Sequence, residues 1–361
     1  MSGTIGTSSY GTLDRILASA SSLRTQYSSL QEQTTTGLIS QSYSGLASAS
    51  SQVIDLTALS NQNNAYLQSI NQAQGKASVM QNALSQIGTL VNNMASGALS
   101  AAGSSSPGAV ASLAQSAGQA LSQLVSILNT SYAGDYVFSG ADTANPPIPS
   151  PSTVTTSGMY TQIGTAVSAL TTTPSATPIG TVIANTVAAA ASTAPGTTIF
   201  SSYLTGAGAS AAPVTVAIGP SNSVVLDLPA NKNVGAVSAA GGTGNAINDV
   251  IRSLAVMANS TGTMSANPDF KTLMQNVSTT LASAGTTLAQ ESGQIGLSQN
   301  TMTAASTSYS SMQTILTTQL SNLTNVDMAT AVSKMQAVNT QLQSSYQVLA
   351  AMNKLNLASY L

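Results

Sequence analysis

The chain has 361 residues, of which only 5% are charged and 42% are hydrophobic, and its formal net charge is −2. An ordinary globular protein carries about 25% charged residues. Normal hydrophobicity with little charge argues against an intrinsically disordered chain. The eight Lys and Arg residues are scattered and form no basic patch, which argues against nucleic acid as a partner. Weak charge repulsion leaves little to oppose association between copies.

The chain contains no Cys and no His. Disulfides, thiolate metal sites and Cys nucleophiles are thereby excluded, and the commonest general base is missing. Asp135 and Asp142 are the closest carboxylates in a predicted loop, but no positioned base or nucleophile accompanies them. The Gly-rich run 241–245 lacks the Lys of a phosphate-binding loop and indicates a flexible linker. We therefore expect no catalytic residue, no cofactor and no metal, and predict that the protein is not an enzyme.

The first ten residues have neither a basic region nor an apolar stretch, so no Sec signal peptide is predicted. No segment approaches the roughly 18 consecutive apolar residues of a membrane span. An exported protein of this kind needs a route that reads another signal.

A heptad pattern opens the chain and predicts a first helix with one apolar stripe. Its apolar positions are Leu13, Ile16, Ala20, Leu23, Tyr27 and Leu30. Gly37 is a suitable C-terminal stop for this helix. Residues 41–45 then form a predicted loop.

A second pattern runs from Leu46 to about residue 97 without a Pro, and Asn63 falls into its apolar seam. A helix of this length is unusual in a compact domain and indicates a rod-like bundle. Residues 104–108 form a predicted turn, and apolar spacing from Val110 to Leu128 predicts a third helix. We expect the third helix to run antiparallel to the second, because the connection is short.

The middle of the chain has a different character, because residues 143–245 hold ten of the twelve Pro residues. Helices longer than a few turns are not expected there. The runs Val214–Ile218 and Ser223–Leu228 favour strands. We predict a small β-rich insert with loose segments, and a low-complexity linker is the alternative for residues 165–200.

Helical patterning resumes at Ala246, with Asn245 as a candidate cap. A long helix is predicted to begin at Pro268 and to break at residues 322–327. The seam of the last helix consists of Met328, Val332, Met335, Val338, Leu342, Tyr346, Leu349, Met352 and Leu355.

The first and last helices have no partner close to them in sequence, and a single amphipathic helix cannot bury its stripe alone. We therefore expect the two ends to pair. The predicted fold is mainly α with a β-rich insert, an elongated antiparallel helical bundle built from the N- and C-terminal segments. Its predicted domains are a terminal coiled coil (1–44 plus 305–361), a helical rod (45–142 plus 246–304) and the insert (143–245).

Four stretches resemble the bacterial flagellin and hook-associated protein family. They cover the turn after the first helix, the returning helix, the entry to the last helix and the C-terminal end: 30–38, 290–299, 320–332 and 355–361. The resemblance fails in the insert. Residues 39–45 replace a charged element of the family, so its ionic contacts are not carried over to this chain.

One further segment resembles the hook–filament junction proteins within this family. It comprises residues 129–140, with Gly134, Tyr136, Phe138 and Gly140, followed by Asn145–Ile148. The two glycines are expected to shape a tight β element, and the aromatic residues are also compatible with ordinary core packing. Flagellins usually lack this element, so the resemblance favours a junction protein, with a filament-forming flagellin as the alternative.

The resemblance implies an extracellular structural subunit of the bacterial flagellum, exported through the flagellar type III channel and folded on assembly. It implies a ring of like subunits, a hook-associated neighbour, flagellin and an export chaperone as partners, with no nucleic acid and no membrane. The implied assembly seam is Leu13, Ile16, Leu23, Tyr27, Leu30, Val332, Met335, Leu342, Tyr346, Leu349 and Leu355. A secreted coiled-coil adhesin or translocon protein is the alternative from another class.

Overall fold

A computed structural model describes residues 6–236 and 241–358, with the side chains of residues 11, 14–236 and 241–351. The chain is mainly helical, as predicted. It divides into two compact units: a terminal unit of Met1–Asn64 and Ser310–Leu361, and a central unit of Ala65–Tyr309. The predicted division into three domains stays a prediction, because compactness does not separate the insert from the rod.

The described part of the terminal unit contains a 3₁₀ segment, Tyr43–Ala49, which begins inside the loop predicted at residues 41–45, and four α-helical segments. They are α1 (Gly6–Thr36), the first turns of α2 (Ser50–Ala102), the end of α8 (Pro268–Thr324) and α9 (Met328–Ala358). Helix α1 packs against α9, so the predicted pairing of the two ends is confirmed. Gly37 ends α1 with a φ of 74°, a left-handed conformation that costs a glycine little.

The turn that follows α1 and the turn that precedes α9 also pair with each other. The Ile39 N–H donates to the Thr324 carbonyl at 2.7 Å, and the Val326 N–H donates to the Gly37 carbonyl at 2.9 Å. Asp327 then caps α9, because its carboxylate accepts the N–H of Ala329 at 3.0 Å. The break that the sequence predicted at residues 322–327 is thus a capped and hydrogen-bonded corner.

The central unit contains the main core, which lies between α2, α3 (Pro107–Leu128), α7 (Ala246–Ala258) and α8. Gly97 of α2 lies against Leu113 of α3. These residues are about equally far from the turn at 103–106, so the two helices run antiparallel, as predicted. The buried members of this core include Ile70, Ile87, Leu121, Leu124, Leu128, Ile163, Val250, Leu254 and Phe270.

Within the central unit, α2 and α8 run antiparallel in one constant register. The rings of Tyr66 and Tyr309 stack with centroids 5.4 Å apart. Further along, Gln74 Nε2 donates to Thr303 Oγ1 at 3.0 Å, and Val91 faces Gly285. Heptad spacing on both helices explains this register, because each apolar row meets the other along one line.

Two small antiparallel hairpins complete the central unit. Strands β1 (Ser131–Tyr132) and β2 (Asp135–Tyr136) form the first. Strands β3 (Thr215–Ala217) and β4 (Ser223–Val225) form the second, with Val216 opposite Val224. Both strands of the second hairpin fall in the two runs that the sequence predicted.

The middle segment holds more helix than the sequence predicted. Its helices are α4 (Gly158–Val167), α5 (Ile179–Ala191) and the short α6 (Ser202–Thr205). Helix α5 fits between Pro178 and Pro195, so prolines bound it without interrupting it. It buries Val182 and Ala189 and packs against α4 and α7. The alternative of a low-complexity linker over residues 165–200 is therefore wrong.

Candidate assembly surface

The predicted seam lies along α1 and α9 and is only partly covered. Eight of its side chains are half-buried: Ile16, Leu23, Tyr27, Leu30, Val332, Met335, Leu342 and Leu349. Tyr346 is 50% exposed. The side chains of Leu13 and Leu355 lie outside the described part of the structure. A pair of helices covers only one side of each stripe, so apolar surface remains open to a third helix.

Exposed apolar side chains are concentrated in the terminal unit. Among the described side chains, thirteen large hydrophobic residues are exposed, and ten of them belong to this unit. They are Leu17, Ile39, Tyr43, Ile54, Leu59, Met312, Ile315, Met328, Tyr346 and Val348. Its described buried apolar residues are Ala20, Leu46, Val53, Leu316 and Ala331. Apolar exposure on this scale is typical of an interaction surface.

The exposed apolar surface of the terminal unit is wider than the predicted seam. Leu17 follows Ile16, Ile54 follows Val53 and Val348 precedes Leu349, so a second apolar residue stands beside a seam position in each case. Such doublets widen a coiled-coil seam into a broader apolar face. These doublets can be seen in the sequence, but a search for heptad spacing alone does not detect them.

An open groove of about 590 Å³ follows the α1–α9 pair. It is lined by Thr25, Gln26, Ser29, Leu30, Lys334, Ala337 and Val338. Lys334 is the one charged residue in this lining. A neighbouring helix can enter such a groove without burying an unpaired carboxylate, which would cost several kcal/mol.

The hairpin of β1 and β2 contains the predicted junction-type element. Its two-residue turn has positive φ angles at both positions, 53° at Ala133 and 96° at Gly134, a geometry that suits the twist of a tight hairpin. Phe138 is fully buried and Tyr136 is half-buried. Gly140 has a φ of 67° and lies close to Pro229. The element thus joins the helical core to the returning end of the middle segment.

The two ends of this element are held by specific hydrogen bonds. The Ala230 N–H donates to the Phe138 carbonyl at 2.9 Å. The Asn129 amide donates to the Ile148 carbonyl at 2.9 Å, and its oxygen accepts the Ile148 N–H at 3.1 Å. Tyr132 packs over Gly75 of α2, where a Cβ would collide with the phenol ring. Gly75, which weakens the helix locally, is explained by this close approach.

Residues 278–361 match the family model described as the bacterial flagellin C-terminal helical region. The match covers less than a quarter of the 361 residues. The matched region covers all but the first ten residues of α8 and the whole of α9, and thus six of the predicted seam positions. No curated protein matches the chain.

The carboxylates in the described part of the chain do not gather into a reactive site. The described residues contain no group of three or more His, Cys, Asp or Glu side chains that could hold a metal ion. Asp135 is exposed on its hairpin, and Asp142 accepts hydrogen bonds from the Asn145 amide, at 2.9 Å for the shorter. None of the described helices is both long and apolar enough to cross a membrane.

The Gly-rich run 241–245 forms a hydrogen-bonded turn, so the predicted flexible linker is wrong. The Thr243 N–H donates to Asp249 Oδ1 at 2.8 Å, and Gly242 lies against the same carboxylate. The Asn245 side chain accepts the Asn248 N–H at 2.7 Å, which confirms the predicted cap of α7.

Several buried charged residues were missed by the sequence analysis, and Glu291 and Arg252 are the two most deeply buried of them. Glu291 of α8 is 2% exposed, and its Oε1 accepts the successive N–H groups of Val234 and Ala236 at 2.9 and 2.8 Å and that of Gly235 at 3.0 Å. Arg252 of α7 is 1% exposed, and burial lowers its pKa. No local motif marks either residue, because their partners come from distant segments.

The partners of Arg252 tie three helices together. Its Nη1 donates to Thr186 of α5 at 3.2 Å, and its Nη2 donates to Thr280 of α8 at 2.8 Å. Hydroxyl partners satisfy these donors, so the buried cation orients α5 on the helical core.

Proposed function

We propose that this protein is a subunit of the hook–filament junction of the bacterial flagellum, needed for filament assembly and motility. The observation that carries the proposal is the exposed apolar face of the terminal unit, which includes part of the flagellin C-terminal helical region. An isolated protein gains nothing from such a face. A subunit covers it with the same helices of neighbouring copies.

The assembly seam of α1 and α9 forms the contact within a ring of like subunits. A hook-associated protein binds below this ring and flagellin binds above it. Before export, a chaperone covers the C-terminal helix, whose stripe would otherwise attract other apolar surfaces. The chain then passes unfolded through the export channel, and its ends become ordered when neighbouring subunits cover their stripes.

The element at residues 129–148 favours the junction over the filament. Gly134 and Tyr136 belong to a hairpin, and the buried Phe138 and Gly140 follow it and anchor it to the core, at the point where the chain enters the middle segment. This placement suits a structural joint between two kinds of neighbour. The alternative is a filament-forming flagellin, which needs the same terminal surface and no such joint.

Two experiments test this proposal. In the first, purified protein is examined by electron microscopy alone and after seeding with filament fragments. A junction protein is expected to form short caps or rings, whereas long homopolymers would establish the filament-forming alternative.

In the second experiment the gene is deleted. The expected phenotype is intact hooks without filaments, with flagellin released into the medium and motility restored by the wild-type gene. Normal motile filaments in the deletion strain would exclude a flagellar role and favour the secreted adhesin or translocon alternative.

A further inference from the structure

Asp227 is a buried carboxylate in the middle segment, two residues after β4 ends. Asp227 is 8% exposed, and its Oδ2 accepts the Val214 N–H at 3.1 Å. Its Oδ1 is buried and has no hydrogen-bond partner. No other charged residue occurs between 143 and 231. A half-satisfied carboxylate in an otherwise uncharged segment is costly and needs an explanation.

The surroundings of Asp227 leave little room for water. The adjoining cavity, which Tyr203 and Lys232 also line, has a volume of about 10 Å³. Such a cavity holds about one water molecule at most. Loss of solvation is thus the main influence on this group and raises the pKa of the Asp227 carboxyl.

This effect is opposed, in order of size, by the hydrogen bond from the Val214 N–H, by the attraction of Lys76 of α2 and of Lys232 in the returning segment, and by the Leu228 N–H, all of which lower the pKa. The Lys232 ammonium donates to the Ala211 carbonyl at 3.0 Å, so part of its hydrogen-bonding capacity is already used. Neither lysine supplies a partner for the free carboxylate oxygen. Their attraction acts across a distance and only partly offsets the burial of the charge.

We propose that Asp227 is a pH-dependent anchor of the β3–β4 hairpin, which holds the hairpin more firmly once its carboxylate is protonated. The proton goes to Oδ1, while Oδ2 continues to accept the Val214 N–H. Protonation removes the buried charge without removing the hydrogen bond that joins the two ends of the hairpin.

The sign of the effect follows from proton binding in the two states. Asp227 binds its proton at a higher pH in the folded chain than in the unfolded chain, where the pKa of an Asp side chain lies near 4. The stability that Asp227 contributes therefore rises as the pH falls through the folded-state pKa, and the full contribution is present below about pH 4.

The effect of Asp227 on the hairpin can be measured locally, because the hairpin is hydrogen-bonded to the two long helices. Ser69 of α2 donates to the Ala217 carbonyl at 3.4 Å, and Ser298 of α8 donates to the Val225 carbonyl at 2.8 Å. Tighter closure of the hairpin protects its amides while the helices stay unchanged, so a local measurement can detect it.

The test is hydrogen exchange by mass spectrometry on the full chain at pH values stepped from 7 down to 4, after correction for intrinsic rates. We expect the amides of residues 214–226 to exchange progressively more slowly in the wild type as the pH falls across this range. Asp227→Asn should show slow exchange already at pH 7 and lose the pH response. Asp55→Asn, which changes an exposed carboxylate of α2 in the terminal unit, should behave as wild type.

Faster exchange of this hairpin at pH 4 than at pH 7 in the wild type would overturn the inference, because the lysines would then stabilise the ionised form. An unchanged rate across this range would overturn it as well. These outcomes need no variant, so they remain decisive if Asp227→Asn fails to fold.

Discussion

At the scale of single residues, Glu291 is the strongest determinant of how the returning segment sits on α8. Its carboxylate accepts three successive backbone N–H groups, and it is 2% exposed. Backbone donors that are buried without a partner are costly, and a charged acceptor satisfies them better than a neutral one. The contact ties residues 234–236 to a helix more than fifty positions away in sequence.

We expect Glu291→Ala to lower the free energy of unfolding by about 2–4 kcal/mol, because three donors lose their acceptor. Glu291→Gln should cost less, since its amide oxygen can still accept. Chemical denaturation followed by circular dichroism measures both. Glu32→Ala, at an exposed position of α1, is the control and should change stability by less than about 0.5 kcal/mol. Equal effects at positions 291 and 32 would refute this role.

Gly75 and Gly88 lie on the same helix and allow a matched comparison. A Cβ at Gly75 would collide with the ring of Tyr132, whereas a Cβ at Gly88 would meet nothing within 4 Å. Gly75→Ala should destabilise the protein by about 1–3 kcal/mol through overpacking. Gly88→Ala should stabilise it by about 0.5–1 kcal/mol through helix propensity. Thermal unfolding of both variants is the measurement, and stabilisation by both would show that Tyr132 does not constrain Gly75.

Asp327 shows the opposite pH response to Asp227. Hydrogen bonds from the Thr330 side chain and backbone lower the pKa of its exposed carboxyl. The stability that this cap contributes is therefore present above about pH 4 and is lost as pH falls further. In the assembled protein, whose ends are ordered, the helix signal followed by circular dichroism should stay constant from pH 7 to about 5 and decrease below about 4. Asp327→Ala should reduce that signal at neutral pH and abolish the acid step.

At the scale of elements, the α1–α9 pair is a helix pair whose apolar face is only half covered. Leu17 is 47% exposed and Val348 is 49% exposed, so about half of the surface of each residue stays in contact with water in the isolated chain. The same side chains would be buried fully by a neighbouring copy. A burial of this kind is worth about 25 cal/mol for each Å² of apolar area removed from water.

The double variant Leu17→Ser with Val348→Ser should leave the melting temperature of the free protein nearly unchanged and prevent assembly. Assembly is measured by sedimentation and electron microscopy of seeded mixtures. Leu99→Ser is the matched control, because Leu99 is 59% exposed but belongs to the central unit. If the control disturbs assembly as strongly as the double variant, the apolar face of the terminal unit is not the assembly surface.

At the scale of the whole molecule, the two units differ in how their apolar residues are used. The central unit contains the continuous core, while the described part of the terminal unit buries only five hydrophobic side chains. Regions with few buried contacts open more readily, since less free energy is lost when they unfold locally. Differences in stability along the chain should therefore follow the boundaries near residues 64 and 310.

Limited digestion of the free protein with a protease of broad specificity tests this difference. We expect early cleavage within residues 1–64 and 310–361 and a resistant fragment close to Ala65–Tyr309. Mass spectrometry identifies the fragment. First cleavage inside the central unit, with intact ends, would show that the terminal helices are as stable as the core.

Much of the helical architecture could be predicted from the sequence, because its determinants are local. Heptad spacing predicts α1, α2, α8 and α9, and short-range signals mark their ends. Gly37 stops α1, Pro268 begins α8, and Asn245 caps α7. The pairing of α1 with α9 follows from the same patterns, because an amphipathic helix needs a partner for its stripe.

The tertiary structure alone decided the contacts between segments far apart in the chain. The acceptor role of Glu291, the burial of Arg252 and Asp227 and the collision that requires Gly75 all depend on which distant groups meet. Helix α5 formed between its prolines because α4 and α7 cover its apolar face. The terminal surface was anticipated as a seam, but its breadth depends on exposure. Exposure is a property of the packed helices and has no local signature in the sequence.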